Sequence, residues 1–126
     1  MYQVKIAHIK DVSFEVQSGS ANFIIDAQPG GLTPPDALLA ALGSCVGVYI
    51  HKYSQGSKLG LENFDISVEA EFAKESPIGF KEIKVAVDLK GAKLDERRKL
   101  ALLEFVKNCP VHNTLRGDPE VKIKLS

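Results

Sequence analysis

Two cysteines, Cys45 and Cys109, three histidines, His8, His51 and His112, and an aspartate at what reads as a helix start, Asp36, are the side chains whose types and positions could do chemistry. Cysteine acts as its thiolate, and a helix N-terminus favours that form. Pro110 follows Cys109 at once and fits the first position of a short helix through Leu115, which places Cys109 at its N-cap. Cys45 lies inside the one long apolar segment, where a small buried hydrophobe and a reactive thiol are both open readings. The histidines stand at no familiar ligand spacing, and Cys109 with His112 makes only a single pair, short of a zinc ligand set. No metal or cofactor is therefore expected. A cysteine-histidine hydrolase would also need an oxyanion hole and an orienting residue, and no motif supplies them. Asp36 has a structural role open to it against the positive end of a helix dipole, and nothing in its spacing forces catalysis.

These residues need elements to hold them, and the stretch from Gly31 to Tyr53 is the first. Thr33 can cap with its hydroxyl, and Pro34 and Pro35 suit a first helical turn. From Ala37 to Ile50 the apolar residues go all the way round the helix, so it must be covered on every side. A second copy of the chain is a natural source of that cover, and a homodimer is expected. The apolar run is about 14 residues and is broken by Gly43, Ser44 and Gly47, whereas a membrane span needs about 20. Gly43 and Gly47 share a face where another backbone or a substrate could approach closely. The helix fades through Lys52 to Lys58, which gives it a basic end.

Strands are predicted over Tyr2 to Ile9, Val12 to Val16 and Asn22 to Ala27, as an antiparallel meander before the helix. After it, Leu61 to Phe72 and Ile83 to Leu89 alternate as a hairpin around a loop from Lys74 to Gly79. Asp95 can cap a second helix that ends at Asn108, with Leu100, Leu103 and Val106 facing the core. Val121, Ile123 and Leu125 alternate with lysines as a last strand. The order βββ-α-ββ-α-α-β argues an α+β fold with a mostly antiparallel sheet packed on the long central helix, in a single domain over residues 1–126.

Composition narrows the partners. Sixteen acidic and sixteen basic residues balance, and aromatics make up 7% of the chain, so neither a basic stripe nor a stacking platform for nucleic acid is present. A membrane-surface helix is equally unsupported. The N-terminus interleaves charge with apolar residues and has no signal-like core, which points to the cytoplasm. Two cysteines in a reducing compartment are reactive or merely buried rather than a permanent staple.

The segment TPPDALLAALGSC, followed much later by NCPVHNTLRGDPEVKIKLS, resembles the OsmC/Ohr superfamily, the osmotically inducible protein C and organic hydroperoxide resistance proteins. The resemblance covers essentially the whole chain. It implies an OsmC-like fold and an intertwined homodimer with sites at the subunit interface. It also implies a peroxidase cycle: the cysteine matching Cys45 attacks an organic hydroperoxide, the sulfenic acid condenses with the cysteine matching Cys109, and an external dithiol reductant restores both thiols.

Two departures bear on mechanism. The arginine that activates the thiol in the family's peroxidases comes from the N-terminal strand region, yet residues 1–96 here contain no arginine. The family's helix-start glutamate matches Pro35, and Asp36 lies one residue nearer the cysteine, a rotation of about 100° on a helix. Lys5, Lys10, Lys52 or a partner residue could supply positive charge instead. Two readings follow: a thiol-dependent peroxidase using Cys45 and Cys109, or a non-enzymatic dimer of the same fold that senses redox state or binds a small apolar ligand.

Overall fold

Residues Thr33 to Asp36 close on themselves before the long helix begins. The Asp36 carboxylate accepts from the Thr33 hydroxyl at 2.8 Å and from the Thr33 backbone N–H at 3.1 Å, while the Thr33 hydroxyl oxygen accepts from the Asp36 N–H at 3.2 Å. This reciprocal cap satisfies donors that the first turn leaves free, and the two prolines between have no N–H to satisfy. Helix α1 (Pro34–Ser57) follows. The computed structural model describes residues 1–126, which divide into two compact units, Met1–Ala40 and Ala41–Ser126.

The first unit is the expected meander of β1 (Lys5–Lys10), β2 (Ser13–Ser18) and β3 (Ala21–Asp26), all antiparallel in that order. Gly19 sits in the left-handed region (φ 59°) in the tight turn between β2 and β3, a conformation glycine adopts without steric cost. The register places Ile6 opposite Val16 and Val16 opposite Phe23. Val16 is the unit's one buried residue, whereas Ile6, Ile9, Phe23 and Ile24 are exposed.

The second unit has a core. Leu42, Val46 and Ile50 repeat every four residues on one face of α1 and bury with Leu61 and Leu102. Against that face lies a hairpin of β4 (Asp65–Phe72) and β5 (Phe80–Asp88), with Val68 opposite Val85 and Ile66 opposite Val87. Its loop is closed by the Ala73 N–H donating to the Gly79 carbonyl at 2.8 Å and by Phe72 stacking on Phe80 with ring centroids 4.7 Å apart. Gly43 and Gly47 face β4: a Cβ on Gly43 would come within 2.8 Å of Val68 Cγ2, and one on Gly47 within 3.1 Å of Ile66 Cδ1. The open glycine face of the sequence is thus the seat of this hairpin. The buried Ser54 hydroxyl accepts from the Leu61 N–H at 2.7 Å and fixes the turn that leaves α1.

Helix α2 (Glu96–Val106) begins at Asp95, which accepts from the Arg98 N–H at 2.8 Å as expected. Helix α3 (Pro110–Gly117) begins at Cys109, also as expected.

Several details of the sequence reading are corrected. The antiparallel strands form two sheets, β1-β2-β3 and β4-β5, rather than one. Residues 118–126 form no strand, because none of the five strands pairs with them; Val121, Ile123 and Leu125 are exposed. Leu61 belongs to the core turn, and the strand after it starts at Asp65. Helix α1 runs on to Ser57, so its last turn contains no base. In α2 the buried residue is Leu102, with Val106 packed beside it, while Leu100 and Leu103 face outward.

Candidate functional site

Cys109 is fixed by the chain that surrounds it. Its N–H donates to the Val106 carbonyl at 3.1 Å, which closes the end of α2, and its carbonyl accepts from the Asn113 N–H at 3.0 Å, which opens α3. The sulfur accepts from the His112 N–H at 3.4 Å in place of the usual capping oxygen. Val111 packs on the core and seats α3, and Cys109 has no exposed surface. Sequence and local geometry agree here: proline at the first helical position leaves the amides beyond it pointing at the sulfur.

Cys45 is half-buried on α1, one turn before Tyr49, and both cysteines are free thiols. The fold brings Cys45 within hydrogen-bonding reach of Cys109. Burial pushes the Cys109 thiol up from its ordinary value. The hydrogen bond with Cys45 and the charge of an ionised Cys45 push the same way, while the His112 and Val111 amides pull against them. Cys109 therefore holds its proton more firmly than an ordinary thiol.

The remaining candidates are elsewhere. Asp36 is engaged by Thr33, which lowers its pKa. His112 presents its backbone N–H to Cys109 and its ring Nδ1 to Asn113 at 3.2 Å. His8 bonds the Asp11 carbonyl and lies against Phe14. No cluster of three histidine, cysteine or acidic residues could hold a metal ion. Lys52, one of the cations that could replace an arginine, sits over the Tyr49 ring at 4.7 Å from its centroid.

One feature escaped the sequence reading. Tyr49 and Tyr53 continue the face of α1 that carries Cys45, and Phe105 of α2 packs on both rings at 6.0 and 5.4 Å. The spacing 45, 49, 53 was the available signal, since residues four apart share a helix face. Cys45 thus shares its helix face with two tyrosines.

The model of the OsmC-like protein family matches residues 27–124, which takes in α1, both cysteines and every element after them. The chain belongs to the OsmC-like family. A hydroperoxide reductase of Mycoplasma genitalium is 25% identical over 99% of this chain and 94% of its own. An OsmC-like protein of Mycoplasma pneumoniae superposes with a TM-score of 0.80 at 23% identity, over 93% of this chain and 88% of that one. An organic hydroperoxide resistance protein OsmC of Legionella pneumophila gives 0.67 at 21% identity, over 97% and 95%. At these identities the two structures establish the α+β OsmC-like fold. No helix of the chain is long and apolar enough to cross a membrane.

Proposed function

We propose that this OsmC-like chain is a thiol-dependent peroxidase that reduces small organic hydroperoxides, with Cys45 as the attacking and Cys109 as the resolving thiol. The approach of the two sulfurs carries this reading. The division of labour follows from their surroundings. Cys45 is the sulfur with surface to meet a peroxide, and Cys109 is buried and protonated. A Cys45 thiolate attacks the peroxide oxygen, the O–O bond breaks, and the alcohol leaves after taking a proton. Cys109 then attacks the sulfenic sulfur, and its proton leaves with the hydroxide as water. A resolving thiol that keeps its proton until that moment supplies what the departing oxygen needs. An external dithiol reduces the disulfide, in keeping with a cytoplasmic protein. Asp36 serves by fixing the start of the helix that carries Cys45.

The working form is a homodimer that completes one domain per chain. Permanent dimers bury about 2,000–5,000 Å² or more, and the bare apolar residues of β1, β3 and residues 121–125 are suited to that burial. Cys45→Ser is expected to abolish hydroperoxide consumption, measured by loss of an organic hydroperoxide with dithiothreitol as reductant. Unchanged consumption would overturn the assignment.

A second reading rests on a separate observation. Val46, Ile50, Val87, Leu102 and Leu103 line an apolar groove of about 280 Å³, which suits a dimer that binds a small apolar ligand. Native mass spectrometry showing a co-purified ligand, with peroxide turnover no faster than a free thiol, would favour that reading over the peroxidase.

A further inference from the structure

A disulfide between Cys45 and Cys109 offers a reductant two sulfurs, and the proposed peroxidase cycle leaves open which one it attacks. We infer that the external dithiol attacks Cys45 Sγ and expels Cys109, whose sulfur is fully buried and already accepts the His112 N–H at 3.4 Å. The inference rests on the peroxidase reading only for the origin of the disulfide.

Access decides the order. Displacement at sulfur needs the incoming thiolate in line with the S–S bond, behind the sulfur attacked, so the attacked sulfur must be approachable from the side away from its partner. Cys45 is half-buried and retains surface. Cys109 has none: its N–H is tied to Val106, its carbonyl to Asn113, and Val111 packs the following helix onto the core. The second factor is the leaving group. The burial that keeps the Cys109 thiol protonated slows its departure as a thiolate, and the amides of His112 and Val111 at the start of α3 offset part of that. The leaving group thus works against the inferred order, and access outweighs it, because a sulfur with no exposed surface cannot be approached from behind.

The electrons balance in two steps. One sulfur of the dithiol, as thiolate, bonds Cys45 Sγ; the Cys45–Cys109 bond breaks, and Cys109 leaves with the electron pair and takes a proton. The second sulfur of the dithiol then attacks the first, closes its own disulfide and releases Cys45 as thiolate. The reductant is oxidised by two electrons and the protein disulfide is reduced by two.

The test uses full-length protein whose disulfide is closed with diamide, so that it does not depend on peroxide chemistry. The oxidised protein is mixed with excess 2-mercaptoethanol and quenched with acid after seconds. Free thiols are capped with N-ethylmaleimide, and the mercaptoethanol adduct is located by peptide mass. At least tenfold more adduct on Cys45 than on Cys109, with the maleimide on Cys109, is expected. Equal or greater adduct on Cys109, or failure of diamide to close the bond, would overturn the inference. A parallel sample treated with tert-butyl hydroperoxide separates the two claims: a bond that diamide closes and the hydroperoxide does not counts against the peroxidase alone.

Discussion

The meander β1 to β3 and the hairpin β4 to β5 are built from the same kind of alternating sequence, yet they end in different conditions. Ile66, Val68 and Ile83 of the hairpin pack on Leu42, Val46 and Ile50 of α1, and the two glycines at 43 and 47 let the strand come close. In the meander only Val16 is buried, and Ile6 and Phe23, its neighbours across the register, remain exposed. Alternation is therefore enough to make a strand but says nothing about what covers it. The hairpin finds its cover within its own unit, and the meander's bare apolar residues await a second chain in the proposed dimer.

Substitutions can break that contrast from either side. Ile50, 1% exposed at the centre of the second unit, is expected to be the costliest: Ile50→Ala should lose about 2–5 kcal/mol in chemical denaturation. A loss under 1 kcal/mol would mean that the hairpin is not held by this face. On the meander, Phe23→Glu should leave each chain folded by circular dichroism while weakening the dimer. A cost of about 2 kcal/mol corresponds to some thirtyfold in dissociation constant, read by sedimentation velocity. An unaltered association constant would place the interface elsewhere.

Smaller effects sharpen the same comparison. Gly43→Ala puts a methyl group 2.8 Å from Val68 Cγ2 and should cost about 1–3 kcal/mol through displacement of β4. An equal or greater stability would show that the strand yields freely. Thr33→Ala removes one half of the reciprocal cap and should cost about 1 kcal/mol. The cap also has a pH signature. Thr33 lowers the Asp36 pKa in the folded chain, so the unfolded chain binds its proton first as the pH falls. The stability it adds is present above the unfolded carboxylate value and is lost as pH falls through the lower folded one. Acid titration of stability should therefore lose part of its slope in Thr33→Ala, and a superimposable curve would argue against the cap.

What was legible in the sequence was what neighbouring residues decide among themselves. The Thr-Pro-Pro-Asp start of α1, the Asp95 cap and the Cys109-Pro110 entry to α3 were readable because each is a local hydrogen-bond problem with a local solution. Long-range choices were not. In α2, apolar residues at 100, 102, 103, 105 and 106 offer two competing stripes, and only the packing against α1 selects Leu102 over Leu100 and Leu103. Residues 121–125 alternate as well as any strand, but pairing requires an edge that the pattern does not contain. At the site, the position of Cys109 was readable from the proline beside it. The approach of Cys45 to it came from family resemblance, since spacing along a chain does not bring two thiols together.

Pro110 also limits the fates open to an oxidised Cys109. A cysteine sulfenic acid can be rescued by condensing with a backbone nitrogen to give a cyclic sulfenamide, a ring that needs a peptide N–H immediately after the cysteine. The nitrogen after Cys109 belongs to a pyrrolidine ring and carries no hydrogen. Oxygen delivered to this sulfur therefore has no backbone refuge, and the thiol of Cys45 is its way back short of irreversible oxidation.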